Sequence, residues 1–129
     1  MDLIQQGIEK GLIRFDEDRK NIFYIHQDKR RLYTNPEEQV QAETFLKLVL
    51  EYGYPVTHIQ QFVSVSMGSN HDKQADIVVY KDEAYTLPYI VVECKSQYVS
   101  EQEFKLASDQ AFSYAYAVAG TTKYLGDKR

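Results

Sequence analysis

The sequence predicts an α/β domain, a mixed sheet with helices packed against it, and three observations carry that expectation. Short apolar runs follow one another along the chain. Two helix-start signatures, NPEE at 35–38 and SEQE at 100–103, bracket three of those runs. The chain has 129 residues, 43% of them hydrophobic and 26% charged, which suits one compact globular domain.

Residues 1–11 read as a short helix, with Leu3, Ile4 and Ile8 at helical spacing and Gly11 as its stop. Runs at 12–15 and 22–25, separated by the polar segment DEDRKN, predict an N-terminal β-hairpin within a region 1–34. The basic cluster Lys29-Arg30-Arg31 reads first as a solvated loop and second as a contact for a phosphate backbone.

Asn35 then offers a cap and Pro36 suits the first helical position. Glu38 falls third, where its carboxylate can reach back to the cap. Val40, Phe45, Leu46, Val49 and Leu50 predict the buried stripe of this helix, which ends before Gly53. A strand is expected over 61–66, with Phe62 alternating against Val63 and Val65, and then a loop over MGSNHDK. Strands over 75–80 and 89–94 follow, joined by the turn-rich KDEAYTLP. After the second helix signature, Phe104, Ala107, Ala111, Tyr114, Ala115 and Val118 mark a buried stripe, Gly120 a stop, and 123–125 the opening of another strand. No internal repeat or low-complexity tract interrupts this order.

The totals narrow the function. No apolar run approaches the roughly 20 residues that cross a bilayer, and the N-terminus lacks the order of a secretory signal. A single cysteine forms no internal disulfide, so an intracellular, reducing location is expected. The formal net charge of −4 is unlike that of a domain that grips nucleic acid unaided. If the chain acts on DNA, other domains or subunits are expected to supply most of the grip.

Chemistry concentrates between Gln74 and Gln97. Asp76 opens one apolar strand, and Glu93-Cys94-Lys95 closes the next. Successive side chains alternate, so Glu93 and Lys95 share a face and Cys94 points away. If the two strands pair, Asp76 and Glu93 lie side by side. Two carboxylates and the Cys94 carbonyl are hard oxygen ligands for a divalent cation, and Lys95 can steady charge on a phosphate. On spacing alone an equal reading is structural, Asp76 satisfied by its loop and Glu93 paired to Lys95 in solvent. On the last helix Gln110 and Tyr114 share a face, and a glutamine at the edge of a buried stripe needs a partner.

Ala75-Asp76, VVECK at 91–95 and Gln110-Ala-Phe-Ser-Tyr114 resemble the PD-(D/E)XK nuclease superfamily. With NPEEQVQ, EYGYP, ADIVVY and IVVECK, residues 20–125 are similar to the N-terminal endonuclease domain of the R subunit of type I restriction enzymes. The resemblance implies a restriction-endonuclease-like core over 35–129, with a central mixed four-stranded sheet flanked by helices and a C-terminus that stops short of the last strand. It also implies Mg²⁺-dependent cleavage of double-stranded DNA in the prokaryotic cytoplasm. Asp76, Glu93 and the Cys94 backbone carbonyl would hold the metal, Lys95 would be the catalytic lysine, and Gln110, Tyr114 and Glu38 would be accessory. Ala75 stands where the superfamily pattern has proline.

Expected partners are motor domains of the same subunit and the modification and specificity subunits of a type I complex. ATP would serve only the motor domains, for which no GxxxxGK[ST] loop is present here. Two other readings keep the same fold, a non-catalytic assembly or DNA-binding module and a stand-alone nuclease.

Overall fold

The computed structural model describes residues 2–66, 72–94 and 123–125. It is mixed α/β and divides into two compact units, Met1–Thr57 and His58–Arg129.

In the first unit, helix α1 (Leu3–Glu9) is capped by Asp2, whose carboxylate accepts the Gln5 N–H at 2.8 Å. Three antiparallel strands follow in sheet order: β1 (Ile13–Phe15), β2 (Asn21–Tyr24) and β3 (Lys29–Leu32). Asp16 organises the β1–β2 turn by accepting the Lys20 and Asn21 N–H groups and the Asn21 side-chain amide. Those hydrogen bonds, the Asn21 side chain first, hold its carboxyl below the usual range.

One face of this sheet buries Ile13, Ile22 and Tyr24, and the Tyr24 ring meets Phe45 of α2 (Pro36–Leu50) edge-on at 5.4 Å. Gly7 of α1 lies against the same helix. A Cβ there would sit 2.6 Å from the Leu46 side chain, so the small residue permits the close approach.

Two expectations fail in this unit. Lys29-Arg30-Arg31 is not a solvated loop: it is most of β3, which turns the expected hairpin into a three-stranded sheet. Charged residues on both faces of an edge strand leave no apolar alternation to read. The buried side of α2 is also broader and more polar than the expected stripe. Phe45 and Leu46 are buried, but so are Glu38, Gln41, Ala42, Thr44 and Leu48, while Val40, Val49 and Leu50 are only half-buried. Thr44 meets its hydrogen-bonding need locally, donating to the Val40 carbonyl at 2.7 Å.

In the second unit a 3₁₀ turn (Val56–His58, straddling the boundary) leads into β4 (Ile59–Ser66), which pairs antiparallel with β5 (Asp72–Tyr80). β5 pairs antiparallel with β6 (Pro88–Val92), and β7 (Lys123–Leu125) runs parallel to β6. β5 starts at Asp72, earlier than Ala75, because its polar first residues continue the ladder with the end of β4.

Ile77, Val78 and Val79 are buried in succession, as are Ile90, Val91 and Val92. Consecutive burial means that both faces of this sheet are covered, which is why these strands read as continuous apolar runs. The helix expected over 100–118 lies outside the described residues. Among the described residues, no helix is long and apolar enough to cross a membrane.

Candidate functional site

The site is built by the β5–β6 hairpin, and its geometry starts at the far end, in the turn. Asp82 accepts the Thr86 and Leu87 N–H groups at 3.0 Å each and also the Thr86 hydroxyl, while Lys81 N–H donates to the Leu87 carbonyl at 2.8 Å. The Thr86 side chain first, then the backbone donors, hold the Asp82 carboxyl below its usual range. A bulge at Val79/Tyr80 follows, and from there the ladder is regular: Val79 opposite Ile90, Val78 opposite Val91, Ile77 opposite Val92. Because a one-residue slip would turn every side chain to the other face, this turn sets which residues meet at the open end.

The next residues along the two strands at that open end are Asp76 and Glu93. The Asp76 carboxylate accepts the Cys94 N–H at 2.7 Å. A side chain from β5 is thereby fixed to the backbone just past β6, and a charge-assisted bond of this length is a strong one. Glu93 is buried, at 7% exposure, and Cys94 at 3%. Cys94 lies one step beyond Glu93, so its side chain is set apart from that of Glu93 while its backbone belongs to the site.

On the other side of β5, Asp76 faces Phe62 of β4. The flanking pairs Gln61–Ile77 and Val63–Ala75 are regular, yet Phe62 has φ +57°, a left-handed conformation that an aromatic residue adopts only under constraint. The expected alternation of β4 breaks at this point, and Gln61 and Phe62 are both buried. Nothing in the sequence signals it, since phenylalanine is a good strand former.

The residues singled out in the sequence fare differently. Asp76, Glu93 and the Cys94 backbone come together at the end of the β5–β6 hairpin. Glu38 belongs to the first unit, where its own N–H is capped by the Asn35 side chain at 2.8 Å. Its carboxylate receives Arg31, Nη2 at 3.0 Å and Nε at 3.4 Å. The carboxylate expected to reach back to the cap is thus engaged by a strand that the sequence did not reveal. Lys95, Gln110 and Tyr114 lie outside the described residues.

Among the described residues no group of three histidines, cysteines or carboxylates is placed to bind a metal. Two carboxylates and a carbonyl still suit Mg²⁺, which is commonly held by one or two protein carboxylates, with water and phosphate oxygens completing its shell.

A family model matches most of this chain. The model described as "Type I restriction enzyme R protein N terminus (HSDR_N)" matches residues 36–125, from the first turn of α2 to the end of β7. No curated protein matches the chain.

Proposed function

The chain belongs to the family of type I restriction enzyme R protein N termini, and from that premise we propose that it is a Mg²⁺-dependent endonuclease domain of the PD-(D/E)XK type. The sheet β4–β7 is read as the central sheet of a restriction-endonuclease-like core flanked by helices. The substrate is double-stranded DNA, hydrolysed at its phosphodiester bonds in the prokaryotic cytoplasm. Motor domains of the same subunit, together with modification and specificity subunits, deliver that DNA. The acidic balance of the chain suits such delivery.

One observation carries the reading: the 2.7 Å bond from the Cys94 N–H to the Asp76 carboxylate, next to the buried Glu93. Preorganised carboxylates are what a hard cation requires, because ligands already held in place lose little freedom on binding. Asp76, Glu93 and the Cys94 carbonyl would hold Mg²⁺, which when bound supplies charge neutralisation at the scissile phosphate and an activated water. The Cys94 N–H keeps the Asp76 carboxylate turned toward the end of β6. Burial of Glu93 lowers the local dielectric and so strengthens its attraction for a cation. Lys95 is assigned the charge developing on the phosphate oxygens, with Gln110 and Tyr114 as accessory residues.

In the full R subunit, Asp76→Ala and Lys95→Ala are expected to abolish cleavage of plasmid DNA while leaving the circular dichroism spectrum intact. Calorimetric titration with Mn²⁺ should show binding to the wild type that Asp76→Ala loses. Cleavage at wild-type rate by either variant refutes the assignment.

A further inference from the structure

The three-stranded sheet of the first unit has a second face, and that face carries charge. The registers Arg14–Phe23 and Phe23–Arg30 place these three residues in one row across β1, β2 and β3. Directly opposite residues in antiparallel strands point to the same side. Their neighbours in the ladder, Ile13, Ile22 and Tyr24, are the buried ones, so the row lies on the outward face. Arg14 and Arg30 are exposed and Phe23 is half-buried between them. The Arg14 guanidinium lies 4.1 Å from the centre of the Phe23 ring, a cation–π contact that orients the side chain without neutralising it. Among the described residues no carboxylate pairs with Arg14 or Arg30.

Within the basic cluster the strand thus separates roles that the sequence could not. Arg31 points to the other face and is held by Glu38. Arg30 stands on the open face and also lines a cleft of about 340 Å³ shared with Arg31, Leu32, Asn35 and Glu38, where Arg31 engages the Glu38 carboxylate.

We propose that this row binds the phosphate backbone of DNA, resting on the nuclease reading for the choice of polyanion. Two uncompensated guanidiniums sit two inter-strand spacings apart, roughly 9.5 Å between backbones, on a chain that is acidic overall. A lone exposed arginine is ordinary. Two in register around an aromatic ring, with no carboxylate paired to them among the described residues, form a local anion-binding surface that net charge alone conceals. Guanidinium forks match phosphate oxygens in pairs, and contacts of this kind position a duplex without reading its sequence.

The test measures anisotropy of a fluorescein-labelled DNA duplex with the full chain in EDTA, so that hydrolysis plays no part. Arg14→Gln/Arg30→Gln is compared with the charge-matched Lys10→Gln/Lys81→Gln, which lies off the row. The arginine pair should weaken binding on the order of tenfold at about 50 mM salt and lower the slope of log affinity against log salt by about 2. The lysine pair should leave that slope near the wild-type value.

An unchanged affinity and slope in the arginine variant, an equal effect in the lysine variant, or no wild-type binding at low salt each overturns the proposal. A wild type that binds as expected, while the full R subunit carrying Asp76→Ala still cleaves plasmid DNA at the wild-type rate, refutes the nuclease reading alone and leaves the surface standing.

Discussion

Glu38 is the residue for which a structural role and a place beside a metal make opposite predictions, and the perturbation that separates them is a double-mutant cycle with Arg31. Its side chain is 11% exposed and that of Arg31 is 39% exposed. An exposed ion pair contributes about 0.2–1 kcal/mol, whereas removing one partner of a fully buried pair costs about 3–5 kcal/mol. This pair lies between: Glu38 is deep, but water still reaches the guanidinium. Arg31→Met should therefore cost about 2 kcal/mol, chiefly by leaving the Glu38 carboxylate buried without its guanidinium. Arg31→Met/Glu38→Leu should recover part of that loss, giving a coupling energy of about 1 kcal/mol. Urea unfolding followed by circular dichroism measures both, and Mn²⁺ affinity measured in parallel should be the same in Glu38→Gln as in the wild type. A coupling energy near zero, together with weakened Mn²⁺ binding by a Glu38→Gln chain of undiminished stability, would refute the structural role.

Two other outcomes follow from the packing and the turn. Gly7→Ala should lower the melting temperature even though alanine is the better helix former. The new methyl meets Leu46 at 2.6 and 3.0 Å and Ile13 at 3.2 Å, and both neighbours are fully buried. Overpacking of about 1–3 kcal/mol then exceeds a propensity gain of about 1 kcal/mol, and a rise in melting temperature would contradict the packing. Asp82 has a folded pKa below its usual 3.8, so its contribution to the turn is complete above that value and is lost as pH falls through the lower folded value. The Thr86 and Leu87 amide resonances should titrate with a midpoint under 3.8, and Asp82→Asn should abolish that titration.

Local chemistry was legible in the sequence wherever a residue acts on its own neighbours. Asn35 and Pro36 start α2 where their types predict, because capping depends on a side chain and an N–H three residues away. Gly11 and Gly53 adopt φ +71° and +76° just past the helices they were expected to stop. What could not be read depends on partners distant in the chain. β3 is a strand because β2 is there to pair with it, and its run of three cations carries no hydrophobic signal. The buried side of α2 includes Gln41 and Thr44, which hydropathy assigns to solvent. Phe62 departs from extended geometry in the middle of a strand whose composition favours it.

The candidate site shows both halves of that rule in one hairpin. Its ingredients were visible because a carboxylate at one end of an apolar run and Glu-x-Lys at the end of the next are local facts. Their meeting depended on pairing, and pairing depended on the turn between them. Asp82, Thr86 and Leu87 have no place in the proposed chemistry, yet their bonds determine that Ile77 faces Val92 and hence that Asp76 comes next to Glu93. A slip of one residue there would leave every local signal intact and turn one strand's charged residue away from the other's. The identity of the site therefore rests as much on the short acidic turn as on the carboxylates, and substitutions at Asp82 should impair Mn²⁺ binding without touching any proposed ligand.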